Sequence, residues 1–350
     1  MAKPNHLIAR RGLLAGAAGL AAVPALAQTT PAPNPAMEEL ARAAARESGP
    51  CVWYESSPQE QTDRVIAAFN RRYPNVRMQH VRLVGGVDIA ARMVQEARTP
   101  GQSADIASVS ADQIWGLNGR NLLAQVDWAR LGASRAQAPV PFTVNIAAAA
   151  YVIVYNRNLV PADAVPTNWD SLLDPRWQGR TGTWLISHPF AQLTKAWDEA
   201  RATAFTERYA RMNPMLFRST FTLAQQIAAG ELPIGLGLWH AAQPVIARGA
   251  PVATVALEPT VTTSIWTAVA RNAPNPNSAR LFVAWLLTPE GATAYEEATQ
   301  RGSALVPGTR TAEMLRGKTV VEYGPEETEV FRRHLTRFNE MLKAGGREAG

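Results

Sequence analysis

Apolar residues recur along this chain in two alternating rhythms. Cys51-Val52-Trp53-Tyr54 is a short continuous apolar run of strand type. Ser56-Ser57-Pro58 follows it, and Val65, Ile66 and Phe69 then recur at helical spacing, which predicts a helix over 59–72 stopped by Pro74. The next unit repeats the order, with a strand over 76–83, a turn at Gly85-Gly86 and a helix over 87–98. A turn at 99–101 leads into a buried-type strand over 104–109. Strands alternating with helices of this length predict βαβ units and a parallel sheet covered on both faces.

The middle of the chain changes character. Residues 142–156 form a long, β-prone run with little charge, as expected of an extended segment passing between two lobes. Residues 161–182 are dense in turns, with Trp169 and Trp177 as local anchors. Strand character resumes over 183–186, helices are expected around 191–212 and 222–229, and Gly235 and Gly237 mark a close-packed strand over 234–239. A second apolar, β-prone segment over 262–270 predicts a return crossing. Helices over 279–287 and 290–299 and charged helical residues over 326–343 complete the pattern.

The amino terminus follows another logic. Residues 1–11 carry Lys3, Arg10 and Arg11 and no acid, residues 13–23 are apolar, and Ala25-Leu26-Ala27 offers small residues to a signal peptidase. That order is a secretory signal, too short in its apolar part for a stable membrane span, with cleavage expected after about Ala27. Arg10-Arg11 before Gly12-Leu13-Leu14 resembles a twin-arginine signal, although Ala9 and Ala15 replace two of its usual residues; an ordinary Sec signal is the alternative. Residues 28–35 read as a Pro/Thr/Ala-rich leader and residues 36–47 as a short helix, so that 28–50 precedes the fold proper.

Composition narrows the function. The signal holds three of the basic residues, so the formal charge of +6 falls to +3 in the mature part. Spread along the chain, that charge argues against a nucleic-acid partner and is compatible with an anionic ligand. A single cysteine, Cys51, permits no intramolecular disulfide, so an exported protein of this length depends on its core, expected as two lobes.

Several stretches, in this order, resemble the type II periplasmic substrate-binding proteins of ABC transporters. They are similar above all to the extracellular solute-binding branch related to the iron(III)-binding proteins. The stretches are Val52-Trp53-Tyr54-Glu55-Ser56-Ser57, Ala104-Asp105-Ile106, Val154-Tyr155-Asn156 and Asn168-Trp169-Asp170-Ser171-Leu172, then Trp177-Gln178-Gly179-Arg180 and Gly230-Glu231-Leu232. Residues 272–279 and 282–291 complete the set, which covers nearly all of the mature chain. The resemblance implies an α/β fold with two lobes joined by two crossing segments around a ligand cleft. It places 51–141 with 271–350 in lobe one and 142–270 in lobe two, with closure by hinge rotation. It also implies a periplasmic receptor that hands a small molecule to a membrane permease, with nothing that asks for more than a monomer. Iron-binding members carry two adjacent tyrosines after Gly-Glu; here that place reads Leu238-Trp239-His240-Ala241-Ala242. Without phenolates for hard Fe(III), capture by that route is not expected, and neither a metal nor a cofactor is assigned.

Ligands of open α/β sheets lie at the carboxyl ends of strands, where helix N-termini present free N–H groups. That rule selects Ser56 and Ser57, Ser108 and Ser110, Ser187 and His188, and Trp239 and His240 as candidate ligand contacts. Plainer roles stand beside each. The serines of 56–57 can cap the next helix, those of 108–110 can sit in a turn, and Trp239 can be core. His188 and His240 could form a metal pair, but no Cys or carboxylate motif supports it. Arg180 and Arg218 are candidates for anion pairing, and Tyr155-Asn156 for the hinge. Small hydroxyls with helix-end amides suit a phosphate, phosphonate, sulfonate or carboxylate, and a tryptophan could cover an apolar part of it.

Two rival functions remain from the sequence. A secreted enzyme would want an activated nucleophile, yet no Gly-x-Ser-x-Gly elbow, Walker loop, dinucleotide fingerprint or His-Glu-x-x-His motif occurs. An iron(III) or other metal carrier with a remodelled site would need donors such as His240 and Glu55.

Overall fold

The computed structural model describes residues 34–83, 85–99 and 104–349. The expected signal over 1–27 and the leader residues 28–33 lie outside the described residues. The Asn34 side chain accepts from the Ala36 N–H and starts α1 (Pro35–Ala44). The two predicted strand–helix units follow as β1 (Cys51–Glu55), α2 (Gln59–Arg72), β2 (Met78–Arg82), α3 (Gly86–Glu96), β3 (Ile106–Val109) and α4 (Ala111–Gly119). The first crossing is β4 (Val144–Asn156). Beyond it come β5 (Thr181–Trp184), α5 (His188–Leu193), α6 (Glu199–Arg211), β6 (Met215–Phe217), α7 (Thr220–Ala229), β7 (Ile234–Leu238), α8 (Trp239–Ala247) and β8 (Val252–Val255). The return crossing is β9 (Thr260–Val269). The chain closes with α9 (Pro276–Leu286), α10 (Pro289–Thr299), α11 (Arg310–Leu315), β10 (Val320–Val321), α12 (Thr328–Gly345) and β11 (Arg347–Glu348).

Among the described residues the strands form one sheet in the order β11-β6-β5-β7-β4-β9-β3-β1-β2, with β10 on β9 and β8 on β4. The expected parallel sheet is thus mixed. The pairs β1–β2, β1–β3, β5–β6 and β5–β7 are parallel, but β4 and β9 run antiparallel to each other and to their neighbours β7 and β3. The reason lies in the two crossings, each of which carries the chain from one half to the other and so enters the sheet against its direction.

Each half has its own cores. In one, Trp53, Phe69, Phe282 and Trp285 meet edge-on or tilted, with Phe69 and Phe282 centroids 5.1 Å apart at 85°. In the other, Trp169, Phe190, Phe205 and Tyr209 gather beneath β5 and β7. Each such fully buried ring contributes roughly 1.5–3 kcal/mol. The strand β4 serves both cores, with Val144, Ile146 and Ala147 in the first and Ala149, Tyr151 and Ile153 in the second.

The helices α9 and α10 pack with the first core. The end of the chain, expected with them in lobe one, packs on the other half instead. Phe331, Phe338 and Leu342 of α12 enter the second core beside Tyr209, and β11 pairs with β6. The cause is one apolar stripe on an otherwise charged helix and a free edge on β6 that two residues can extend. Between these packings Glu322 accepts hydrogen bonds from the Thr262 hydroxyl at 2.9 Å and from the Ser264 N–H and hydroxyl at 2.5 and 2.8 Å, tying the C-terminal segment to β9. Burial raises the Glu322 pKa above the ordinary glutamate value, and those three donors partly restore it.

Candidate functional site: a cleft at the strand ends

The carboxyl ends of the parallel strands in both halves open on one cleft of about 500 Å³. β1 delivers Glu55 and Ser56, and β3 delivers Ser108, Val109 and Ser110. From the other side, β5 delivers Trp184 and His188, β6 the run Arg218 to Phe221, and β7 Leu238 and His240. Ala149 and the segment Thr263 to Ile265 form the floor on the crossings, and Arg301, just after α10, closes the first side. The geometry is that of α/β ligand sites generally, since helices that follow parallel strands start at the same edge.

Three of those helix starts lack a side-chain cap. The N-cap residues Ser110 of α4, Ser219 of α7 and Leu238 of α8 make no capping hydrogen bond from their side chains. Ser110 donates instead to Asp112 at 2.6 Å and to Gln113. First-turn N–H groups of three helices therefore stand at one cleft without a side chain to satisfy them, a field that favours an anion.

Arg301 is the fixed charge of the site. Its Nη1 donates to Glu55 Oε1 and to the Ser57 hydroxyl, both at 3.1 Å, and its side chain is 15% exposed against 1% for Glu55. Burial works against this guanidinium, but Glu55 and Tyr295 more than offset it and hold its pKa above the ordinary arginine value. Glu55 Oε2 meanwhile accepts the Ser57 N–H at 2.5 Å. Arg218, the other arginine on the cleft, is 81% exposed and pairs with Glu348 at the mouth.

Both cleft histidines are neutral near pH 7. Burial lowers the His188 pKa to about 4, and burial with the nearby Arg301 charge lowers that of His240 well below the ordinary value. Each has a solvent-shielded Nδ1 without a hydrogen-bond partner among the described residues. His188 stacks on Tyr151, with centroids 5.9 Å apart, and His240 meets Phe221 edge-on at 5.6 Å.

Of the eight residues selected from the sequence, the cleft brings together Ser56, Ser108, Ser110, His188 and His240. Ser108 lines it while already accepting from Trp53 Nε1 at 2.9 Å and sharing a 2.7 Å bond with Thr267. Ser57, Ser187 and Trp239 do not line it. Ser57 supports Arg301 rather than capping α2, which has no side-chain cap. Ser187 is fully buried, with its N–H and hydroxyl on Asn339 of α12. Trp239 opens α8, not a continued strand, and lies under Arg310 with 5.6 Å from guanidinium carbon to ring. Arg180 lies off this cleft, and Asn156, the last residue of β4, donates to the Ile227 carbonyl at 2.9 Å. Sequence reasoning missed Arg301, Trp184, Ser219, Thr220, Phe221 and the floor on β9.

The place of the missing tyrosine pair is also explained. Ala241 and Ala242 are buried in the cores beneath α8, so no ligand-bearing side chain occupies that turn. Among the described residues no three His, Cys, Asp or Glu side chains are grouped closely enough to hold a metal ion.

A family model for bacterial extracellular solute-binding proteins matches residues 64–312, most of the chain. The chain belongs to that family. No curated protein matches it in sequence. Its fold is that of iron-bound HitA from Pseudomonas aeruginosa, with a TM-score of 0.70 at 16% identity over 84% of this chain and 99% of that one. It is shared with AfuA from Actinobacillus pleuropneumoniae with bound fructose-6-phosphate, at a TM-score of 0.69 and 19% identity over 85% and 99% of the two chains. The Atu4243-GABA receptor is also similar, with a TM-score of 0.67 and 16% identity over 84% and 98%. At these identities the likeness is one of fold, and the ligands of the three differ in kind. Family and fold are those of solute-binding proteins, not of enzymes.

Proposed function

We propose that this solute-binding protein is the periplasmic receptor of an ABC importer and captures a small organic anion between its lobes. The observation that carries the reading is the convergence of three helix starts without side-chain caps on a cleft that also holds Arg301. Glu55 offsets one guanidinium charge, and the remaining field is that of the helix ends and Arg218. The protein is exported through the signal over 1–27, by the twin-arginine route, works as a monomer and docks on a membrane permease. Residues 51–141 with α9 and α10 make one lobe, and residues 142–270 with α12 the other. Secretory-signal order, family membership and the separate cores support these parts of the reading.

The likeness to iron-bound HitA favours a second reading, ferric capture at a remodelled site. It fits the donors poorly, because Arg301 and the Ser57 N–H already take both Glu55 oxygens. The test is a thermal-shift screen on mature protein unfolded and refolded to strip bound ligand. The panel holds phosphonates, sugar phosphates, organic acids, sulfonates, thiamine, polyamines, and Fe(III) with and without citrate. Native-state binding at a hundredfold excess over Kd adds about 2.7 kcal/mol. A rise with organic anions supports the receptor; a rise with Fe(III) alone would overturn it in favour of the metal.

A further inference from the structure

The two walls of the cleft differ in chemistry, and the difference specifies what kind of anion fits. The wall of β1, β3 and Arg301 holds small hydroxyls and a guanidinium paired with the Glu55 carboxylate, and no aromatic ring among the described residues. The opposite wall carries four flat rings, Trp184, His188, Phe221 and His240. Trp184 ends β5 and Phe221 opens α7 just after the neighbouring β6, so both rings are delivered to the cleft from adjacent strands. Phe221 is 37% exposed, the most open of the large apolar side chains on the cleft. Leu238 and Ile265 continue the apolar surface beneath.

We propose that the ligand is an aromatic or heteroaromatic acid, with its anionic group between Arg301 and the uncapped helix starts and its ring on the four rings. The proposal rests on the organic-anion reading above and narrows it. A flat π-face on Trp184 or Phe221 gains stacking or edge contacts beyond its buried area, which a saturated chain does not. The imidazoles add a requirement at the ring itself. His240 lines the cleft as a 5% exposed imidazole, and its shielded Nδ1 has no hydrogen-bond partner among the described residues. Because the ring is neutral, it matches a neutral group, so a ring hydroxyl or ring nitrogen is favoured over a second charge.

Titration calorimetry on refolded mature protein tests this with 4-hydroxybenzoate, nicotinate, benzoate and indole-3-acetate. The controls are cyclohexanecarboxylate, succinate, glycerol phosphate and inorganic phosphate. At least one aromatic acid should bind tenfold or more tightly than every control, and 4-hydroxybenzoate or nicotinate more tightly than benzoate. Phe221→Leu and Trp184→Leu should each narrow the aromatic-to-saturated ratio at least threefold; the exposed Phe221 site keeps the test alive if Trp184→Leu does not fold. Controls that bind as well as or better than every aromatic acid overturn the inference and leave the anion reading standing. If no acid of either kind binds, both fail.

Discussion

The two walls of the cleft occupy equivalent places, the carboxyl ends of parallel strands, yet they are built to opposite plans. One wall satisfies its polar groups internally: Glu55, Ser57 and Arg301 bind one another, and Ser108 binds Trp53 and Thr267. The other is built of aromatic rings, with His188 and His240 each holding a shielded Nδ1 that has no partner among the described residues. A network complete without ligand is rigid and presents a fixed charge. In the proposed receptor the internally bonded wall stabilises the free protein and the ring-bearing wall contacts the solute.

The comparison breaks most severely at Glu55. Glu55→Ala leaves the Arg301 guanidinium almost buried and unpaired, so stability should fall by about 3 kcal/mol or more in urea unfolding. An unchanged midpoint would mean that the pair contributes nothing. Acid should act next, on the opposite wall. Its imidazoles have folded pKa values below the unfolded 6.5, so the unfolded chain binds more protons as pH falls. For His188 the loss should begin near pH 6.5 and be complete near pH 4, at roughly 3 kcal/mol. His188→Phe, measured by unfolding at several pH values, should flatten that slope.

Smaller effects sharpen the division of labour. Arg301→Met should weaken binding of the best acid found by calorimetry by roughly 2 kcal/mol, the worth of hydrogen bonds to a charged partner. Equal affinity for acid and variant-insensitive binding would move the anion to the helix starts alone. Phe221→Ala should cost about 1 kcal/mol in affinity for ring-bearing acids. Its effect on unfolding should stay within roughly 0.5 kcal/mol, because the side chain is exposed in the free protein.

Legibility in the sequence followed the same line. β1, α2 and the helix over 279–287 were readable because their apolar residues are consecutive or one helical turn apart, and their burial is decided locally. The helix α8 was not. Leu238-Trp239-His240 reads as the end of a strand, and Pro244 argues against a helix that nevertheless forms. Position at strand ends found Ser56, Ser110, His188 and His240, but it does not say which way a side chain turns. Ser187 turns inward to Asn339, 152 residues away, and Trp239 turns to Arg310. Arg301 carried no local signal at all, since its partner Glu55 lies 246 residues earlier in the chain.

The sequence by itself determined the family, the alternation of strands and helices, the two crossings and the edge of the sheet on which the cleft opens. All of these follow from local periodicity and from chain-order motifs. The tertiary structure alone decided that the last helix leaves its expected lobe and that Arg301 supplies the fixed charge. It also decided that three helix starts and four rings face one cleft. Those outcomes depend on contacts between residues far apart in the chain, and the free energy of such a contact is set by burial and geometry that no stretch of sequence contains.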